Sequence, residues 1–171
     1  MARPSLATVQ SFLEGTGADD RGRNLEYILR QDDHWLEYTH DFIQWLFPID
    51  SPSAVNPNAP VITASQARDL GANSKIAGNL RRAFDRMTAF YGFEANDGVI
   101  ERRINFSLRA PDWAARPTHN DLRITRILRS LTLFGLRGEA KLFYDVAMVA
   151  IREFRGDDGV QQYWSAALSG G

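Results

Sequence analysis

The sequence predicts an all-α fold, a compact bundle of six or seven helices with one short extended arm near residues 98–106. Three observations lead there. Apolar residues recur at helical spacing through most of the chain, glycine and proline stand where those patterns stop, and only the stretch from Val99 to Phe106 alternates. With 171 residues, 44% of them hydrophobic and 11% aromatic, the chain can bury a full core and suits a single domain over residues 1–171.

The elements follow in order. Ser5 to Glu14 reads as a short amphipathic helix ended by Gly15, and Gly17 to Arg23 as a polar turn. Leu25, Ile28 and Leu29 open a second helical pattern, and a stronger one begins after Asp32 and Asp33. Continued as one helix to Pro48, it puts Trp35, Phe42, Ile43 and Leu46 on one face and Asp33, Glu37, His40 and Gln44 on another. Pro48, Pro52, Pro57 and Pro60 make residues 48–62 a proline-rich loop and the best internal joint. Thr63 with Gln66 forms a capping box before a short helix ending near Leu70. Ile76, Leu80, Phe84, Met87 and Tyr91 define a core helix stopped by Gly92. Asn96, Asp97 and Gly98 form a turn before the extended arm. Thr118 opens the next helix, which runs to Phe134 and Gly135; a short link then implies an antiparallel partner, Glu139 to Phe154, apolar nearly all round its middle. Val160 to Leu168 forms a last helix before a frayed Gly170 and Gly171.

Charge is unevenly spread. Residues 1–70 carry a net −5, residues 71–137 a net +6 and residues 138–171 a net −2, and of 20 basic residues only Lys75 and Lys141 are lysine. The guanidinium fork suits carboxylates and phosphates, so the arginine-rich middle directs attention to anions. Without cysteine there is no disulfide, thiolate zinc cluster or cysteine nucleophile, and a reducing compartment suits the chain. No apolar run is long enough to span a bilayer, so at most peripheral membrane association is expected.

The helix from Thr118 concentrates the chemistry. His119, Arg123, Arg126 and Ser130 line up beside its apolar face, so an imidazole and two guanidinium groups stand in a row near the positive end of the helix dipole. Either acidic groups such as Asp33, Glu37 and Asp41 neutralise them, or they hold a carboxylate or phosphate. His34 and His40 lack ligand spacing, and no nucleophile elbow or phosphate loop is present, so no residue is assigned a catalytic or metal role and no cofactor is expected. An enzyme or metal protein using a His40/His119 pocket remains an alternative reading. So does a nucleic-acid-backbone binder through Arg81, Arg82, Arg86, Arg102 and Arg103, although the helix after Gly135 is too apolar to read a groove.

Two strings carry a family likeness. His40 to Pro48, with Ile43-Gln44-Trp45-Leu46-Phe47-Pro48, and His119 to Leu131, with His119-Asn120, Leu122-Arg123-Ile124-Thr125-Arg126-Ile127-Leu128 and Ser130-Leu131, resemble the two signature motifs of the opioid growth factor receptor conserved-domain family. Phe90-Tyr91-Gly92, Arg103, Asn105 and Gly135 fall in matching places, and the likeness runs from about residue 24 to residue 150. Phe106 stands where the family usually has tryptophan, and the basic localisation segments and repeats of animal members are not found in these residues. The resemblance implies an α-helical domain, opioid-peptide binding, a regulatory role in growth, and an intracellular setting that is cytoplasmic, or nuclear to perinuclear in a eukaryote. It marks His40, Gln44, Arg103, Asn105, His119, Asn120, Arg123 and Arg126 as polar signature members. Such groups beside a core either form a satisfied internal network or line a pocket. The expected arrangement is a binding module whose two motif helices pack together and pool these groups around a short peptide or small anionic ligand. Tyr91, Phe106 and Trp113 would then hold its apolar part. The oligomeric state stays open.

Overall fold

The computed structural model describes residues 3–96 and 98–169. The fold is all-α with one small hairpin: ten helices and two short strands among the described residues.

Local capping fixes the first half. Helix α1 (Leu6–Leu13) starts where Ser5 Oγ accepts from the Thr8 amide at 3.2 Å, and it ends before Gly15 at φ +76°. Helices α2 (Leu25–Leu29) and α3 (Asp33–Tyr38) begin with Asn24 and Asp32 side chains accepting amides at 2.8 Å. The expected single helix from Asp33 to Pro48 is broken. Thr39 is extended, at φ −102° and ψ 124°, and only Ile43–Leu46 resumes helical form, as α4. The physical reason is burial: every residue from Phe42 to Pro48 is buried, which a helix with one apolar face cannot achieve. Asp33, Glu37, His40 and Gln44 therefore share no continuous helix face.

The proline-rich stretch stays pinned at its ends, because the Ile62 amide donates to the Ile49 carbonyl at 3.1 Å in a parallel bridge of Ile49 with Val61. Helix α5 (Ala64–Gly71) carries the expected capping box: Thr63 Oγ1 accepts from the Gln66 amide at 3.2 Å, and the Thr63 amide donates to Gln66 Oε1 at 2.8 Å. Helix α6 (Ser74–Phe90) follows, and Gly92 turns the chain at φ +89°, where an added Cβ would also lie 3.0 Å from Phe106 Cα.

Strands β1 (Phe93–Asn96) and β2 (Val99–Arg102) pair antiparallel from Phe93 with Arg102 to Asn96 with Val99. Asp97 in the expected turn, and the expected fraying at Gly170 and Gly171, lie outside the described residues. The extended arm is shorter than expected. Phe106 begins helix α7 (Phe106–Ala114), whose stripe of Phe106, Ala110, Trp113 and Ala114 is buried although Pro111 sits inside it. That proline obscures the helical spacing in the sequence. Helices α8 (His119–Leu133), α9 (Arg137–Phe154) and α10 (Gln161–Leu168) complete the chain. Helix α9 has an outer face after all, with Val149 53% exposed and Lys141, Asp145 and Arg152 open to solvent.

The chain divides into two compact units. The first runs up to Ala83 and takes in Leu133–Gly135; the second covers Phe84–Thr132 and the described residues from Leu136 onward. The first is built around Phe12, Leu36, Trp45 and Phe47, all 1% exposed or less. Gly71 is required within it, because an added Cβ would lie 2.3 Å from the Phe134 carbonyl oxygen. In the second, the rings of Phe84, Tyr91 and Phe93 surround Phe143 at centroid distances of 5.7, 5.8 and 6.4 Å. Arg155 there grips Asp121 with two hydrogen bonds of 3.0 Å, joining the end of α9 to the start of α8, and Trp164 Nε1 donates to the Asp121 carbonyl at 3.2 Å.

Candidate functional site

In the first unit, the polar turn after α1 is organised by Asp19. Its buried carboxylate accepts the Arg21 and Arg23 amides at 2.9 and 2.8 Å and the Arg23 Nε at 2.7 Å. Arg23 also lies 2.9 Å from Asp41 Oδ1, out of hydrogen-bond alignment, and its guanidinium sits 5.6 Å above the Trp35 ring. Burial works against the Arg23 charge, but its hydrogen bond to Asp19 and the proximity of the Asp19 and Asp41 carboxylates outweigh it and push its pKa above the ordinary arginine value. Arg21, two-thirds exposed, reaches Asp41 Oδ2 at 3.1 Å, and Trp45 Nε1 donates to Asp20 Oδ1 at 3.1 Å.

The break between α3 and α4 opens a cavity here. Asp20, Arg21, Tyr38, Thr39, His40, Asp41, Val55, Asn56 and Asn58 line a volume of about 590 Å³ open to solvent. A second hollow of about 200 Å³, lined by Pro4, Thr8, Ala18, Asp19, Asp20, Trp45 and Asn58, shares Asp20 and Asn58 with it. His40 is exposed at the cavity, and its carbonyl accepts from Gln44 Nε2 at 3.1 Å. Gln44 itself is only 4% exposed, and its Oε1 has no hydrogen-bond partner among the described residues.

The second unit holds the other signature groups. Asn120 is fully buried; its Oδ1 accepts from Tyr91 Oη at 3.3 Å and from Arg123 Nη1 at 3.4 Å, while its amide donates to Thr118 Oγ1 at 3.1 Å. Arg123 and Arg126 are 4% and 9% exposed. Burial lowers the Arg126 guanidinium to about 10, which leaves it charged at neutral pH. His119, the first residue of α8, and Arg103, just past β2, are exposed. Asn105 precedes α7 without a side-chain cap, and its buried Oδ1 has no hydrogen-bond partner among the described residues. The aromatics expected to hold a ligand are core residues instead. Tyr91, Phe106 and Trp113 are 0%, 3% and 1% exposed, and Trp113 Nε1 donates to the Tyr91 carbonyl at 3.1 Å.

The expected row thus splits by burial, with Arg123, Arg126 and Ser130 buried and His119 exposed. Among the described residues no group of three or more His, Asp or Glu is gathered to hold a metal ion. Within the arginine-rich middle, Arg82 pairs with Glu26, Arg102 with Glu153 and Arg109 with Asp112. Asp20, Arg21, Tyr38, Val55, Asn56 and Asn58 do not stand out in the sequence. The turn and loop residues among them are marked only by composition, which says nothing of which loop faces which, and Tyr38 is one residue of α3.

The model of the opioid growth factor receptor conserved region matches residues 23–167. The chain belongs to the opioid growth factor receptor conserved-region family. Relatives include opioid growth factor receptor of Rattus norvegicus and of Homo sapiens, each 39% identical over 104 residues; the match covers 59% of this chain and 18% and 15% of theirs. Opioid growth factor receptor-like protein 1 of Xenopus tropicalis is 33% identical over 138 residues, covering 75% of this chain and 27% of that protein. This chain therefore spans about a quarter or less of the family members it matches. No solved structure matches it. No helix among the described residues is long and apolar enough to cross a membrane. Of the cavity lining, Tyr38, Thr39, His40, Asp41, Val55, Asn56 and Asn58 fall inside the family region, and Asp20 and Arg21 precede it.

Proposed function

We propose that the chain is a ligand-binding module of the opioid growth factor receptor family, taking a short peptide in the first unit's cavity beside His40. One observation carries this reading: a solvent-open volume of about 590 Å³ adjoins the first signature string and is lined by groups of both charges and both hydrogen-bonding senses. Such a lining suits a zwitterion. Arg21, His40 and the Asn56 and Asn58 amides offer donors to a carboxylate or to backbone carbonyls, and Asp20 offers an acceptor to an ammonium or to amides. The relatives' name, opioid growth factor receptor, supports a peptide as the ligand and a regulatory role for the protein.

On this reading the sealed signature groups serve the fold. Asn120 and Arg123 hold the end of α6 and the start of α8 through Tyr91, so their removal acts through stability. Calorimetry with short opioid peptides tests the proposal on the wild type, His40→Ala and Arg21→Ala. The expected result is measurable heat for the wild type and at least a tenfold weakening in both variants, about the loss of one charge-assisted hydrogen bond. Equal affinities in all three folded proteins, or no heat with any of them, refutes it.

A further inference from the structure

The reading of a peptide cavity leaves the adjoining hollow of about 200 Å³ unexplained. Its walls differ from those of the main cavity. Pro4, Thr8, Ala18 and the 1% exposed Trp45 line it, and the Asp19 carboxylate accepts the Arg21 and Arg23 amides, so the hollow presents mainly carbon. It meets the larger cavity at Asp20 and Asn58, and the Trp45 indole N–H holds Asp20 at that junction at 3.1 Å. Arg3 Nε donates to the Pro57 carbonyl at 3.3 Å, tying the start of the chain to the loop carrying Asn58.

We infer that this hollow is a specificity pocket for one apolar side chain of the peptide, of leucine or phenylalanine size, while the peptide backbone lies in the main cavity. The inference rests on the proposed peptide site. Size agrees: the space takes one such side chain, and a backbone leaving it passes Asp20 and Asn58, which carry the acceptor and donors an amide needs. Pro4, Thr8, Ala18, Asp19 and Asp20 all precede residue 23, where the family region begins. Side-chain selectivity thus draws on this chain's leading segment together with Trp45 of the first signature string and Asn58.

The test uses the full chain and four tripeptides, Ala-Leu-Ala, Ala-Phe-Ala, Ala-Ala-Ala and Ala-Glu-Ala, titrated calorimetrically into the wild type and Thr8→Trp. Thr8 is solvent-exposed on α1, so the indole can fill the hollow without entering the core, and circular dichroism checks that the variant folds. The wild type is expected to bind the leucine or phenylalanine peptide about tenfold or more tighter than trialanine, and the glutamate peptide no better than trialanine. In Thr8→Trp the preference collapses to within about twofold. Binding of all four with equal affinity, or an unchanged preference in Thr8→Trp, overturns the pocket and leaves the peptide site standing. Absence of binding to every tripeptide and to the opioid peptides overturns both.

Discussion

His40 and Asn120 fall in the two strings that carry the family likeness, yet the fold places them differently. His40 stands exposed at an open cavity, and Asn120 is fully buried with its carbonyl oxygen accepting from Tyr91 and Arg123. Sequence spacing identifies both as polar positions beside apolar faces but carries no information on burial, which depends on what the rest of the chain lays over them. A second contrast concerns ion pairs. The half-exposed Glu26 carboxylate is held below its usual range, chiefly by its hydrogen bond from Arg82. A carboxyl whose folded pKa is depressed stabilises the fold above its unfolded value and loses that contribution as pH falls through the folded one. Arg82→Gln is therefore less stable than the wild type at neutral pH, and the gap closes as pH drops below the ordinary carboxylate range. Denaturant midpoints of both proteins along a pH series check this, and a gap independent of pH contradicts it.

Among the elements, those with a local cause are readable from the sequence. Ser5, Asn24, Asp32 and the Thr63/Gln66 box start helices as their side chains dictate, and Gly15, Gly92 and Gly135 follow helix ends with positive φ. The two misread segments have non-local causes. Tertiary burial of Phe42 to Pro48 breaks the expected helix at Thr39, and the packed stripe of Phe106, Ala110 and Trp113 makes a helix across Pro111. Tyr38, Thr39, His40 and Asp41, at the first of these breaks, form one wall of the cavity. Helix-to-helix joints likewise rest on few groups. The Arg155 side chain is 4% exposed and clasps Asp121 in a two-pronged pair, so Asp121→Asn strands a buried cation. Its expected cost is about 3–5 kcal/mol in chemical unfolding. A loss below about 1 kcal/mol would mean that the Trp113 and Arg116 carbonyls alone satisfy Arg155.

At the scale of the whole molecule, charge follows the chain division only loosely. The acidic first 70 residues supply Asp20 and Asp41 to the cavity, and the basic stretch 71–137 engages several of its arginines in ion pairs. Family membership covers residues 23–167, while the cavity draws Asp20 and Arg21 from the segment before it. Backbone amide NMR during titration of a short opioid peptide measures the central claim directly. The account predicts saturable shifts centred on Arg21, Tyr38, His40 and Asn58, with the amides of Asn120 and Arg123 unmoved. Shifts confined to α8, or none at any peptide concentration, would contradict it.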